Sequence, residues 1–177
     1  SLLAHRELLQ MKRFSLAIVD EASQILEPHL VSLLSEHHQG MPSIGRVVLI
    51  GDHKQLPAVV QQDEEESEVT DPSLRAIGLT NCRRSLFERL LNGFLLSSGD
   101  YDPRYVYMLT RQGRMHRTIA DFPNQAFYGG RLQIVGAPVL PHQEESLPGS
   151  LPDADGLHQL LATRPVAFVA SPDPMAS

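Results

Sequence analysis

The sequence lacks any apolar run near the ~20 residues that a membrane-spanning helix requires, so we expect no membrane partner. Its first residues also show no secretory-signal pattern. Cysteine is almost absent. The single Cys82 cannot form an internal disulfide, which favours a reducing compartment. Together these absences predict an intracellular protein, cytoplasmic or nuclear.

Basic residues are fewer than acidic ones, and the acidic excess lies in one short segment. The chain holds 21 Asp plus Glu against 15 Lys plus Arg, for a net charge of −6. Residues 63–71 contain six of the acids, so the rest of the chain is balanced at 15 against 15. This balance neither supports nor excludes nucleic-acid binding. The acidic segment itself is typical of a solvated loop.

Two apolar runs that end in carboxylates organise the rest of the chain. The first, residues 16–19, precedes Asp20 and Glu21, and the second, residues 47–50 after Arg46, precedes Asp52. Unbroken apolar runs of this kind predict strands buried on both faces of a parallel sheet. The segment between them has room for one helix, so we expect a βαβ unit with all three acids at one edge of the sheet.

Capping signals and apolar periodicity predict further elements. Glu27 and Pro28 suit the first turn of a helix, because an acid there favours the helix dipole and proline is tolerated. Ser85 with Glu88 three residues later forms a capping box. The predicted elements are a helix from residue 27 to Gly40 that buries Leu30, Leu33, Leu34 and His37, a helix over 85–96, a strand over 105–109, a helix over 117–127 kinked or shortened by Pro123, a loop over 136–155 and a strand over 165–170.

Asp20 and Glu21 are residue types that suit metal-dependent phosphate chemistry. A carboxylate at a strand tip can hold Mg²⁺, which prefers oxygen ligands and keeps several waters. An adjacent glutamate can orient or deprotonate a water that attacks a phosphate. The alternative interpretation is an exposed strand end with two solvated carboxylates.

Two other segments carry candidate nucleotide-binding residues. Gly51 at a strand tip would let the backbone approach a ligand closely, and Gln55 can bond a phosphate oxygen and a water without adding charge. Arg111 and Arg114 belong to a basic cluster, and arginine binds phosphate oxygens in a bidentate way. The alternatives are a polar turn stiffened by Pro57 and an ordinary pair of surface charges. No His or Cys spacing in the chain predicts a zinc site.

Six short motifs occur in an order that resembles superfamily 1 helicases. The most similar branch contains the nonsense-mediated-decay helicase and the flap-processing helicase-nuclease. The resemblance covers about residues 14–132, and motifs in this order and spacing are together very specific. The motifs are Val-Asp-Glu-Ala-Ser-Gln at 19–24, Gly-Asp-His-Lys-Gln-Leu-Pro at 51–57, Ser-Leu-Phe-Glu-Arg-Leu at 85–90, Gln-Gly-Arg-Met-His at 112–116, Phe-Pro at 122–123 and Phe-Tyr-Gly-Gly-Arg-Leu at 127–132.

This resemblance implies an incomplete RecA-like α/β fold of the P-loop NTPase type, with ATP bound between two domains. Residues 1–107 would be the C-terminal part of the first domain, and residues 108–177 the N-terminal part of the second. The implied partner is single-stranded DNA or RNA. The implied site roles are Mg²⁺ binding by Asp20, the catalytic base at Glu21, contacts near the γ-phosphate by Asp52 and Gln55, nucleotide contacts by Gly51 and Gln112, and an arginine finger at Arg114.

The sequence departs from the family pattern at several positions. Gly113 stands where an aromatic that can stack on the base is usual, and Arg117 and Ala58 replace usual prolines. No Gly-x-x-x-x-Gly-Lys-Ser/Thr loop occurs, so the loop that cradles phosphates is missing. We therefore expect an internal fragment that is inactive alone and that self-associates through open sheet edges.

Three functional hypotheses remain open at this point. The first is a fragment of an ATP-dependent helicase or translocase, acting on DNA or RNA. The second is a non-catalytic module on a helicase-like fold that binds nucleic acid or protein. Retention of Asp20, Glu21, Gln55 and Arg114 together argues against it. The third, a helicase fused to a nuclease, requires sequence outside this piece.

Overall fold

The computed structural model describes residues 6–135, 141–144 and 155–163. Two compact units make up the chain, Ser1–Tyr107 and Met108–Ser177. Among the described residues, no helix has both the length and the apolar character to cross a membrane. The helices are α1 (Arg6–Met11), α2 (Glu27–Leu34), α3 (Pro72–Ala76), α4 (Leu86–Gly93), α5 (Arg117–Phe127), α6 (Pro141–Glu144) and α7 (Gly156–Thr163). The strands are β1 (Ala17–Val19), β2 (His37–His38), β3 (Met41–Pro42), β4 (Val47–Leu49), β5 (Arg111–Gln112) and β6 (Gln133–Ile134).

A βαβ unit positions the two strands that end in acids. Strands β1 and β4 pair in parallel, with Ala17 opposite Val47 and Val19 opposite Leu49. Helix α2 and a small antiparallel hairpin, β2 with β3, lie between them in the chain. Because the strands are parallel, their C-terminal ends meet at one edge. The predicted βαβ unit is confirmed, and so is the α/β fold class.

The prediction that both strands are buried on two faces is wrong. Ile18 exposes 63% of its surface and Val48 exposes 45%. Within the described part of the chain this sheet consists of β1 and β4 alone. The two faces of a sheet become buried only where other layers pack on them, and the described residues leave Ile18 and Val48 uncovered. The pattern is that of inner strands in a larger sheet, and it leaves an exposed apolar face.

Helix α2 is shorter than predicted. It ends at Leu34 instead of Gly40, because the chain turns back on itself to pair β2 with β3. Gln39 and Gly40 both have positive φ, 52° and 76°, which a two-residue hairpin turn favours. Leu30 is completely buried as expected, whereas His37 is exposed on the hairpin and does not extend the buried stripe.

The six acids of residues 63–71 are exposed, as predicted for a solvated loop, but the segment also has apolar and capping contacts. Val69 is buried within it, and Asp71 ends it by capping α3. One carboxylate oxygen of Asp71 accepts the backbone N–H groups of Ser73 at 2.8 Å and Leu74 at 3.1 Å. Both hydrogen bonds lower the pKa of this carboxyl, and the bond from Leu74 has the larger effect. Helix α3 was not predicted, although Asp-Pro at its start is a favourable N-cap and first helical position.

Helix α4 begins where the capping box predicts and ends earlier. The Ser85 hydroxyl accepts the backbone N–H of Glu88 at 3.1 Å. The helix stops at Gly93, since Leu95 leaves the helical path to form a β-bridge with Tyr101. Its buried residues, Leu86 and Leu91, face the core of the first unit.

In the second unit, α5 connects the parallel strands β5 and β6. The helix has the predicted bounds with Pro123 inside it, so proline does not shorten it. The strand predicted over 105–109 is wrong. Within the described residues β6 pairs with residues 111–112, and Tyr107 and Leu109 are exposed.

Two predicted elements fall largely beyond the described residues. The strand over 165–170 lies outside them entirely. Most of the loop over 136–155 is outside them as well, and the short helix α6 within it was not predicted. The sequence there carries Pro141 at the first helical position, which is a favourable start.

Replacing the cap of α4 should destabilise the protein. We expect Ser85→Ala to lower the free energy of unfolding by about 1 kcal/mol, because the N–H of Glu88 loses its acceptor. Urea unfolding measures the change. Ser97→Ala is the control, since Ser97 lies in an exposed turn. Equal unfolding free energies for the two variants would show that the cap contributes nothing.

Candidate functional site

The loops that follow β1 and β4 are hydrogen-bonded to each other. The Ile50 N–H donates to the Val19 carbonyl at 2.8 Å, and the Ala22 N–H donates to the Ile50 carbonyl at 2.8 Å. The backbone N–H of Asp52 donates to the Ser23 hydroxyl at 3.1 Å. These bonds extend the strand pairing past its end, so the three acids predicted at one edge do lie on neighbouring loops.

Glu21 has a left-handed backbone conformation, with φ 51° and ψ 35°. Such a conformation costs a non-glycine residue roughly 1–2 kcal/mol. Its own N–H donates to Asp20 Oδ1 at 2.9 Å, and Gln24 Nε2 donates to its carboxylate at 3.3 Å. Neighbouring bonds thus hold an exposed carboxylate on a strained backbone, which is common at functional sites. Sequence reasoning did not predict this conformation.

The donor set at Asp20 fits a hard divalent cation. Its side chain is exposed at the strand tip, and one oxygen accepts the N–H of Glu21. Among the described residues, no three or more His, Cys, Asp or Glu side chains gather as a metal cage. Mg²⁺ usually takes one or two carboxylates and completes its shell with waters and substrate phosphates. A single strand-tip carboxylate therefore suits Mg²⁺ brought by a nucleotide.

Asp52 organises the second loop. One of its carboxylate oxygens accepts the N–H of Lys54 at 3.0 Å, and the other accepts Gln55 Nε2 at 2.9 Å. The exposed amide of Gln55 is thereby held at the same edge as the first loop. The structure brings together the five candidate residues of the first unit: Asp20, Glu21, Gly51, Asp52 and Gln55.

Gly51 is required by the neighbouring loop and not only by a ligand. A Cβ added at this position would lie 2.8 Å from the backbone nitrogen of Ser23 and 3.3 Å from that of Ala22. A backbone atom cannot move away cheaply. The close approach of the two loops therefore needs glycine here, a reason that the sequence did not reveal.

His53 is half-buried beside these loops. Burial lowers the pKa of its imidazole, and the positive charge of Lys54 adds to this effect, while Asp52 and Glu88 oppose it. The ring therefore stays neutral at a lower pH than an ordinary histidine does.

A buried ion pair that was not predicted lies in the same unit. Arg89 Nη2 is 2.5 Å from Glu27 Oε1, and Arg89 Nε donates to both carboxylate oxygens at 2.9 and 2.8 Å. The side chains are only 17% and 5% exposed. Hydrogen bonding to Glu27 raises the pKa of Arg89. The sequence indicated Glu27 only as a helix-start acid, because its partner is 62 positions away.

The two candidate residues of the second unit share one loop. Gln112 Oε1 accepts the backbone N–H groups of Arg114 at 3.1 Å and Met115 at 2.8 Å. Its Nε2 donates to the Met115 carbonyl at 3.0 Å. Gln112 thus shapes the turn that presents the exposed Arg114 side chain.

Comparisons with known proteins identify the family. Two family profiles, both described as an AAA domain, match residues 1–63 and residues 82–171, and the second alone covers half of the chain. An uncharacterised ATP-dependent helicase of Methanocaldococcus jannaschii is 30% identical over 131 residues, which is 74% of this chain and 15% of the relative. The chain belongs to the superfamily 1 helicases. Its fold is accordingly that of an incomplete RecA-like, P-loop NTPase domain.

Two other helicases are similar to this chain over a comparable length. The DNA replication ATP-dependent helicase/nuclease DNA2 of Mus musculus is 35% identical over 122 residues, covering 69% of this chain and 9% of the relative. The ATP-dependent helicase upf1 of Schizosaccharomyces pombe is 31% identical over 121 residues, covering 68% and 10%. This helicase-family chain spans no more than 15% of the length of these relatives.

Adding a methyl group at Gly51 should separate the two loops. We expect Gly51→Ala to lower the free energy of unfolding by about 1–3 kcal/mol, because the new Cβ would overlap the Ser23 backbone. Gly93→Ala is the matched control, since a Cβ added there would have no atom within 4 Å. It should be neutral or stabilising in helix α4. Urea unfolding that gave both variants the same free energy would refute the required close approach.

Proposed function

We propose that this chain is part of an ATP-dependent DNA or RNA helicase or translocase and carries three of its working loops. These are the hydrolysis loop with Asp20 and Glu21, the coupling loop with Asp52 and Gln55, and the arginine loop with Arg114. The observation that carries the proposal is the hydrogen-bonded junction of the first two loops. It lies at the C-terminal edge of parallel strands, where open α/β sheets bind ligands.

The hydrolysis loop would supply the base for the reaction. Asp20 would hold Mg²⁺, which when bound with ATP offsets the charge on the phosphate oxygens. Glu21 would orient a water against the γ-phosphorus and accept its proton as the new P–O bond forms and the bond to ADP breaks. The strained but hydrogen-bonded backbone of Glu21 supports this role, because it fixes the carboxylate before substrate arrives.

The coupling loop and the arginine loop would have further roles in the same reaction. Gly51 would let the backbone lie close to the nucleotide. Gln55, which is hydrogen-bonded to Asp52, would contact the γ-phosphate and lose that contact after hydrolysis. Arg114 would act as the arginine finger, a role worth about 10³–10⁵ in kcat in other phosphoryl-transfer enzymes. Gln112 would contact the nucleotide while its side chain keeps the Arg114 turn in shape.

The whole protein would act on single-stranded DNA or RNA. Relatives named as a DNA replication helicase/nuclease and an ATP-dependent helicase support a nucleic-acid track. Outside residues 63–71 the chain is balanced in charge, so binding would depend on local groups more than on a general basic surface.

Removal of the proposed base should abolish ATP turnover. In the full-length protein, we expect Glu21→Gln to lower kcat by about 10²–10⁴-fold, because the amide cannot accept the water's proton. Phosphate release, with and without single-stranded DNA or RNA, measures this, and the better stimulator identifies the track. Glu68→Gln is the control, an exposed acid outside both loops.

Two outcomes of that experiment decide between the hypotheses. Wild-type turnover that Glu21→Gln retains would refute the role of Glu21. A folded full-length protein without turnover on any nucleic acid would favour the non-catalytic binding module.

The isolated 177 residues should release no phosphate above their own Glu21→Gln variant, because the phosphate loop is missing from them.

The isolated chain should also self-associate through the open edges of the β1–β4 sheet and its exposed apolar face. Light scattering on a sizing column should give a mass above that of a monomer. Ile18→Lys should lower the measured mass, because a charge on the exposed face would oppose contact between copies of the chain. Val59→Lys is the control, at a 95% exposed position outside the sheet. A monomeric wild-type chain at all concentrations would contradict this prediction.

A further inference from the structure

We propose that the Glu27–Arg89 ion pair is a positioning device for ATP hydrolysis. It would hold the loop that carries Asp20 and Glu21 in place against helix α4. The inference rests on the proposed function, because it assumes that the Glu21 carboxylate acts on a water beside ATP. Neither residue touches substrate in this scheme, and both act through the loop.

The pair joins the first turn of α2 to α4 in a fixed orientation. Three hydrogen bonds of 2.5–2.9 Å connect the guanidinium to the carboxylate. Arg89 Nη1 also donates to the Ile77 carbonyl at 2.9 Å, so the arginine is held on a second side. A planar guanidinium bonded in this way accepts few orientations of its partner.

Backbone contacts strengthen the same junction. The N–H of Glu27 donates to the Arg84 carbonyl at 3.2 Å, and Leu26 forms an antiparallel bridge with Ser85. The entry to α2 is therefore attached to the entry to α4 by main chain and side chain together.

The proposed base lies on a short segment with both ends attached. Immediately after Glu21, Ala22 is completely buried and bonded to the Ile50 carbonyl. The 3₁₀ turn Ala22–Gln24 packs on α4, and the segment ends at the Glu27–Arg89 pair. A change in the position of α2 relative to α4 would thus move the carboxylate that must align with water.

Stability alone does not account for this pair. A buried ion pair pays for the removal of two charges from water, and well-packed apolar residues of similar volume are often as stable or more so. Apolar contacts lack direction, whereas the guanidinium–carboxylate pair sets the angle and register of the two helices. Orientation is therefore what this pair adds over an apolar contact.

The test replaces the pair by apolar residues in the full-length protein. Glu27→Leu combined with Arg89→Met removes both charges, which avoids leaving one of them buried and unpaired. We expect the melting temperature to stay at or above that of wild type, while kcat for ATP falls at least about tenfold with little change in KM. Arg89→Lys keeps the charge but loses the bidentate bond, and it should lower kcat too.

A matched pair and a second readout make the result decisive. Glu68→Leu combined with Arg75→Met removes an exposed ion pair of the same unit and should leave kcat unchanged. Hydrogen exchange of the peptide over residues 20–26 should be faster when the buried pair is replaced. Wild-type kcat in the apolar double variant, or a melting temperature well below wild type, would overturn the proposal.

Failure of the proposed function would look different. If wild-type protein hydrolysed no ATP, the helicase proposal would fail, and hydrogen exchange would still report whether the pair positions the loop. Faster exchange over residues 20–26 would support that positioning, and unchanged exchange would refute it.

Discussion

The parallel pairing of β1 with β4 is the constraint on which the candidate site depends. Parallel strands bring their C-terminal ends to one edge, so two loops far apart in sequence become neighbours. The main-chain bonds through Ile50 continue the pairing beyond the strands, and the Ser23 hydroxyl binds the Asp52 amide. Gly51 leaves the space for this approach. The acids and the amide of Gln55 converge because the backbone beneath them is already joined.

Features that depend on local sequence could be predicted. The carboxylates after each apolar run lie at one edge because strand, helix and strand follow in order. The Ser85 cap and the bounds of α5 follow from signals within a few residues. The order of the helicase motifs likewise depends on sequence alone, and the comparisons agree with the family that it indicates.

Features that depend on distant partners could not be predicted. Arg89 meets Glu27 across 62 positions, and neither residue type signals the other. The left-handed Glu21 is a local feature that was also missed. Its N–H donates to Asp20 and its carboxylate accepts Gln24, but no residue type in this segment signals a positive φ. Burial of the strands was overestimated because it also depends on distant parts of the chain. An apolar pattern indicates that a strand can be buried, but two described strands offer few partners to bury it.

The loops are hydrogen-bonded to each other although the strands beneath them are partly exposed, and this difference has a physical explanation. The apolar faces of β1 and β4 need further layers to become buried, and burial is a property of the whole sheet. The loop junction instead consists of directional hydrogen bonds between residues that are already adjacent at the strand ends. The Glu27–Arg89 pair adds a second directional contact behind the loop, where an apolar contact would permit sliding. The geometry of the candidate site therefore depends on a few oriented bonds within the first unit, and its strands can remain exposed while those bonds persist.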